Sequence, residues 1–147
     1  MRPARLAARC LELLGPLAGP VAVHAPARPR VAAALAAGAT VARDGVRPAA
    51  AVVVFLGAPV DVEARLTTLR RVHAALASGA PLVVVDHNQP RTWGRRMVAA
   101  VALALRGHPP RRARHPSARE LQAAGFTVAR LRLADGERVQ LILATHP

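Results

Sequence analysis

The sequence predicts an α/β fold whose mostly parallel sheet carries helices on both faces and ends in an antiparallel β-hairpin. Two observations lead to this prediction. Apolar runs of strand length alternate with amphipathic segments of helix length, which is typical of a doubly covered parallel sheet. The last two apolar runs flank Asp135-Gly136, a dipeptide typical of hairpin turns. The predicted architecture is therefore Rossmann-like.

The helices are predicted from apolar residues three and four positions apart and from the residues at their ends. Asp61 is placed to cap the third helix, and Ser117 with Glu120 forms a capping box for the fifth. Gly38 and Gly125 are interpreted as C-terminal caps. The predicted helices are Ala4–Leu14, Arg30–Ala37, Val62–Leu76, Trp93–Leu105 and Ala118–Ala124.

The strands are predicted from short apolar or β-branched runs between turn residues. They are Val21–His24, Ala39–Ala42, Ala50–Leu56, Pro81–Val85, Thr127–Leu133 and Val139–Thr145. An open parallel sheet binds its ligand beyond the carboxyl ends of its strands. This rule directs attention to His24, Asp44, Leu56, Gly57 and the polar segment Asp86-His87-Asn88.

The length of 147 residues predicts a single domain, residues 1–147. The net charge of +13 would favour a nucleic-acid partner. However, all 21 basic residues are arginines spread along the chain, and only three aromatic residues are available for base stacking. We therefore expect no specific nucleic-acid binding.

The chain has one cysteine, Cys10, so it forms no intramolecular disulfide, and we expect a reducing compartment. The uncharged apolar stretches, Met97–Leu105 among them, are too short to cross a bilayer. These features predict a cytoplasmic protein with no membrane partner. The histidines lack metal-ligand spacing, so no metal site is predicted.

Several segments, taken in order, resemble a known family. They are Ala51–Leu56, Leu69–Leu76, the run from Ser78-Gly79 to Asp86, Ser117–Leu121 and Ala124-Gly125-Phe126. Together they resemble the second half of the class I S-adenosylmethionine-dependent methyltransferases, in particular the small-molecule enzymes of the ubiquinone/menaquinone-biosynthesis type. The resemblance covers about Ala50–Thr145 and implies a methyltransferase fold that binds S-adenosylmethionine and a small-molecule substrate.

The resemblance also implies a cofactor loop, acidic-x-Gly-x-Gly-x-Gly, after the first strand, and this sequence has none. Residues 12–19 are either a remnant of that loop or, as periodicity favours, a helix followed by a turn. If Val21–His24 is the family's second strand, His24 stands where the family has an acidic residue for the ribose hydroxyls. Asp44 resembles the family's aspartate near the adenine and is equally a turn former. Leu56 and Gly57 stand where substrate and methyl group meet.

His87 is the candidate general base, because an imidazole titrates near neutral pH and Asp86 could orient it. The alternative interpretation of this segment is a polar loop. Trp93 either forms a wall of a substrate pocket or packs against the core. The arginines within 106–114 either select an acidic substrate or belong to a solvated loop.

These observations lead first to a small-molecule methyltransferase. The first alternative is a catalytically inactive relic of that fold that serves as a partner or scaffold subunit, and the missing glycine loop favours it. The expected partner is another protein or a second copy of the chain. The second alternative is a basic nucleic-acid-binding module, which the scarcity of aromatic residues disfavours.

Overall fold

The computed structural model describes residues 2–26, 28–43, 45–56, 62–88, 92–105 and 117–147. Within these ranges it contains five helices and five strands in the predicted alternation. The helices are α1 Pro3–Leu14, α2 Pro29–Gly38, α3 Val62–Ala75, α4 Trp93–Ala104 and α5 Ser117–Ala123. The strands are β1 Val21–His24, β2 Ala50–Val54, β3 Pro81–His87, β4 Thr127–Ala134 and β5 Val139–Thr145.

The strands form one mixed sheet in the order β1-β2-β3-β5-β4. β1, β2 and β3 pair in parallel, whereas β5 is antiparallel to both β3 and β4. Gly136 and Glu137, at the centre of the β4–β5 turn, have φ values of 63° and 68°, as in the primed turns that suit the twist of a hairpin. The predicted Rossmann-like sheet with a terminal hairpin is confirmed.

Both faces of the sheet are covered, because alternate residues of each strand point to opposite sides. Val52 and Val54 of β2 pack with α1 and α2 on one face. Ala51 and Val53 pack on the other face, in a cluster that contains Leu69 of α3 and Leu121 of α5. All five residues of β2 are buried, which explains why the strand reads as an uninterrupted apolar run.

Several predictions differ from the structure. β2 ends at Val54 instead of Leu56, and β3 continues to His87 instead of ending at Val85. The predicted strand 39–42 is reduced to a single bridge between Val41 and Val21. Gly38 is not a left-handed cap; it lies inside α2, where a Cβ would come within 2.6 Å of Leu11 Cδ1. The absence of a side chain at Gly38 therefore lets α1 approach α2 closely.

Gly125 does end α5, and its backbone requires glycine. Its φ is +96°, and a Cβ there would lie 2.9 Å from Nε2 of His73. We expect Gly125→Ala to lower the free energy of unfolding by about 1–2 kcal/mol or more, since a left-handed backbone alone costs an L-residue that much.

Gly94 offers a matched control for this prediction. A Cβ at Gly94 meets nothing within 4 Å and its φ is ordinary, so Gly94→Ala should be neutral or stabilising by up to about 1 kcal/mol. Chemical denaturation of the two variants tests this. Equal effects at both positions would show that the conformation of Gly125 is not as described.

No helix in the described ranges is long and apolar enough to cross a membrane.

Candidate functional site

The carboxyl ends of β1, β2 and β3 lie at one edge of the sheet, because the three strands are parallel. β1 is bridged by Val41 on one side and paired with β2 on the other. After β1 the chain first pairs at Val41 on one side of β1 and then crosses over to form β2 on the other side. The strand order reverses at β1, which is therefore the topological switch point of the sheet. Open α/β sheets bind ligands beyond the carboxyl ends of the strands at such a point.

A cavity of about 620 Å³ lies at this edge, within the range of small-molecule sites, roughly 300–1,000 Å³. Its walls come from the loop after β1, the start of α2, the ends of β2 and β3, and the β4–β5 turn. Parts of α1 and α4 also contribute. The polar and aromatic side chains that line it include Arg28, Arg30, Phe55, His87, Asn88, Asp135 and Arg138.

Three of these side chains are stacked. The guanidinium carbon of Arg28 lies 4.8 Å from the ring centroid of Phe55, a cation–π distance. The Phe55 and His87 ring centroids are 4.4 Å apart, with an angle of 33° between the planes. The loop after β1 is thereby connected to the ends of β2 and β3 through side chains in the cavity.

The backbone of Phe55 is in an uncommon conformation. Its φ is 53°, a left-handed value that costs a non-glycine residue free energy and often marks a functional site. Its N–H donates to the carbonyl of Val85 at 2.8 Å, so pairing with β3 fixes the residue just beyond the end of β2. This contact holds the aromatic ring at the edge of the sheet.

The charge of the cavity lining is predominantly positive. Arg28, Arg30 and Arg138 line it, whereas Asp135 is the one carboxylate among the lining residues that the structure describes. Arg138 Nη2 lies 3.7 Å from Asp135 Oδ1. The lining therefore favours an anionic ligand over a cationic one.

Hydrogen bonds attach the β4–β5 turn to the end of β3. Asn88 donates through Nδ2 to the carbonyl of Glu137 at 2.7 Å and through its backbone N–H to the carbonyl of Arg138 at 2.8 Å. Gln140 Nε2 donates to the carbonyl of His87 at 3.0 Å. These bonds position Arg138 over the cavity next to His87.

The predicted site residues do not all come together. His87 lines the cavity, as its place at a strand end suggested. His24 is exposed and is not part of the lining. Leu56 is buried in the cluster that contains Leu69 and Leu76, on the α3 side of the sheet. Asp44 and Gly57 lie outside the described residues. The cofactor roles of these four residues and the catalytic role of His87 stay predictions.

β3 does not end at Val85 but extends through Asp86 and His87. As neighbours in a strand, the two side chains point to opposite faces, and Asp86 therefore does not orient the imidazole of His87. Asp86 and His87 pair with Gln140 and Val139 of β5. The carboxylate of Asp86 accepts bonds from Arg65 at 2.6 Å and from Ser117 at 2.9 Å.

Sequence reasoning missed the buried polar cluster formed by Arg65, Asp86, Ser117, Glu120 and Gln140. Arg65 is the largest fully buried side chain in the described part of the chain. Its Nη2 lies 2.6 Å from both Asp86 Oδ2 and Glu120 Oε2. The Ser117 hydroxyl donates to Asp86, and the Glu120 carboxylate accepts from Arg65. The two side chains therefore do not form the predicted capping box.

Burial by itself lowers the pKa of Arg65, but the hydrogen bond with Glu120 and the charge of Asp86 outweigh it and raise the pKa above its ordinary value. Arg65 is thus charged at every accessible pH. Arg65 and Glu120, which are hydrogen-bonded in the cluster, are 55 positions apart in sequence, so no local pattern marks the members as neighbours.

The structure also decides between the two interpretations of residues 12–19. α1 continues to Leu14, and Gly15 follows with a φ of 74°, so this segment is a helix followed by a turn. β1 is the first strand of the sheet and its switch point, not a second strand. The resemblance therefore places the family's cofactor loop after β1, where the sequence contains Pro26 and Arg28 and no glycine.

The described residues contain no group of three or more histidine, cysteine, aspartate or glutamate side chains placed to hold a metal ion.

No family model matches the sequence, and no curated protein matches it. Solved structures do match. The mitomycin 7-O-methyltransferase MmcR is 15% identical, with a TM-score of 0.62 over 97% of this chain and 52% of its own. The S-adenosylmethionine-dependent methyltransferase SibL is 20% identical, with a TM-score of 0.57 over 86% and 43%. The chain thus spans about half the length of both.

A protein of Bacillus halodurans, described as a methyltransferase candidate, is matched over nearly its whole length. It is 13% identical, with a TM-score of 0.62 over 96% of this chain and 98% of its own. At these identities the similarity shows the fold alone. Together with the sheet order and the switch point at β1, it establishes that the chain has the fold of the class I methyltransferases.

Proposed function

We propose that this chain is a non-catalytic derivative of the methyltransferase fold that binds a small acid with a flat apolar part in the cavity at the carboxyl edge. The observation that carries the proposal is the position of Arg28. It stands in the loop where the family has glycines, and its guanidinium lies over the Phe55 ring at 4.8 Å.

The described residues do not fit S-adenosylmethionine in the manner of the family. Glycines let the backbone approach the cofactor closely, but residues 25–28 include Pro26 and Arg28. The cofactor is a net cation, because its carboxylate and ammonium offset each other and its sulfonium is positive, and the three lining arginines Arg28, Arg30 and Arg138 therefore disfavour it.

A small acid fits the same lining better. The planar guanidinium of arginine binds carboxylate and phosphate through paired, charge-assisted hydrogen bonds. The stacked rings of Phe55 and His87 provide a flat surface for the apolar part of a ligand. We therefore expect aromatic carboxylates and phosphate esters to bind in preference to apolar molecules without charge.

The proposal is tested by calorimetric titration with phenyl phosphate at physiological salt. The wild type should bind it, and Arg28→Ala should weaken the affinity about tenfold or more, because one charge-assisted hydrogen bond contributes about 1.5–3 kcal/mol. Arg71→Ala is the matched control, since Arg71 is exposed on α3, is not part of the cavity lining and carries the same charge.

Arg71→Ala should change the affinity by less than about twofold, because an exposed charge is largely screened at this salt concentration. Equal losses in both variants would show only non-specific attraction to a chain of charge +13. No binding by the wild type would contradict the proposal directly.

A second candidate function is methyl transfer from S-adenosylmethionine to a small acidic acceptor. The presence of His87 in the cavity lining, at the end of β3, favours it. In this case His87 keeps its predicted role as the general base, and His87→Gln would abolish turnover. Micromolar binding of S-adenosylhomocysteine would favour this candidate over the first.

A further inference from the structure

The helix α4 presents an apolar face to solvent. Trp93 is 76% exposed and Leu105, directly after the helix, is 84% exposed. Between them Met97, Val98 and Val101 are 48–60% exposed. The sequence predicts this spacing as a core-facing stripe, and the structure places it outward instead.

The side of α4 that faces the protein is narrow. Ala99 is 5% exposed and lines the cavity with Ala102. At about 100° per residue, Ala99 lies roughly opposite the middle of the apolar stripe. The small alanines therefore contact the protein, while the large apolar side chains point away from it.

Two arginines lie in the first turn of α4, between the stripe and the side that faces the protein. At the same angular spacing, Arg95 lies about 60° beyond Val98, and Arg96 lies about 60° before Trp93. Arg95 is exposed and Arg96 is half-buried. The outward surface of α4 is thus apolar with a tryptophan at one end, and the two cations flank it in the first turn.

We propose that α4 binds in the interface of an anionic lipid bilayer, with its apolar stripe inserted below the headgroups and Arg95 and Arg96 at the level of the phosphates. A helix with large apolar residues on one side, arginines beside them and a tryptophan is typical of such interfacial helices. The net charge of +13 is complementary to an anionic surface. A protein surface is the less favoured partner because an apolar contact would not require the two arginines beside the stripe or the high net charge.

This proposal revises the expectation that the chain has no membrane partner. That expectation rested on the lack of a segment long enough to span a bilayer, and an interfacial helix spans nothing. The proposal is independent of what the cavity binds.

The chain offers a specific probe, because Trp93 is its single tryptophan and it has no tyrosine. Its fluorescence therefore reports on α4 alone. We would add vesicles of phosphatidylcholine and phosphatidylglycerol, or of phosphatidylcholine alone, to the full chain. The expected result with the anionic vesicles is a blue shift, protection from acrylamide quenching and co-flotation of the protein.

Three variants distinguish insertion of apolar side chains from electrostatic attraction as the source of vesicle binding. Met97→Glu should weaken binding about tenfold or more, since it replaces an inserted apolar side chain with a carboxylate. Arg95→Ala should weaken binding about fivefold. Leu131→Glu is the matched control, because Leu131 is a similarly exposed apolar residue on β4, and it should retain binding.

Several results would overturn the proposal. One is the absence of any shift or flotation with anionic vesicles. Another is flotation that Met97→Glu and Leu131→Glu reduce equally, which would reflect net charge alone. A third is a dimer in light scattering that Met97→Glu dissociates while vesicles have no effect, since the stripe would then be covered by a second copy of the chain.

Discussion

Replacing Arg65 by methionine is expected to lower the free energy of unfolding by about 3–5 kcal/mol, because removal of one partner of a buried ion pair leaves the other charge uncompensated. Arg65 is 1% exposed and lies between the carboxylates of Asp86 and Glu120. Without the guanidinium, two buried carboxylates face each other. Methionine keeps the apolar stem, so the loss reports on the charge. Urea denaturation followed by circular dichroism measures it.

Arg70→Met is the matched control on the same helix. Arg70 is exposed and contacts Glu63 at 3.4 Å, and exposed pairs of this kind contribute only about 0–1 kcal/mol. Adding Asp86→Asn and Glu120→Gln to Arg65→Met should recover part of the stability, because both buried negative charges are then removed. A loss below about 1 kcal/mol in Arg65→Met would contradict the described cluster.

Alkaline pH is expected to destabilise the protein through Cys10. Burial raises the pKa of this thiol from its ordinary value of 9.0 to about 12, so the folded state keeps the proton after the unfolded chain has lost it. The stabilisation is complete below pH 9 and is lost as pH rises toward 12. The free energy of unfolding should fall by about 1.4 kcal/mol per pH unit in this window.

The composition makes this test unusually specific. The chain has no lysine and no tyrosine, so Cys10 is the only side chain with an ordinary pKa between 9 and 12. Cys10→Ala should be less stable at neutral pH because it leaves a small cavity, but its stability should stay nearly constant from pH 9 to 11. Equal slopes in the wild type and in Cys10→Ala would contradict the burial of the thiol.

The sequence predicted the centre of the sheet well because β2 and β3 are buried on both faces. β2 and the first part of β3 read as continuous β-branched runs, and Asp135-Gly136 marks the hairpin turn through local backbone preferences alone. The end of β3 was placed too early because Asp86 and His87 are polar. Pairing with Gln140 and Val139, more than 50 positions away, keeps both residues in the strand.

The candidate site was predicted less completely, since it depends on which strand lies at the switch point. His87 was found because it follows an apolar strand. Arg28 and Phe55 were missed, although Arg28 directly precedes the proline that opens α2 and Phe55 follows β2. The orientation of α4 was also not predictable, because an apolar stripe has the same periodicity whether it faces a core or an external partner.

The most direct test of the central claim is calorimetric titration of the wild type with S-adenosylhomocysteine, which lacks the sulfonium charge and is therefore the more permissive ligand. The described loop, with Arg28 in place of the family's glycines, predicts a dissociation constant no tighter than the millimolar range. A micromolar dissociation constant would contradict it, and would show that the cavity still holds the cofactor of the methyltransferase fold.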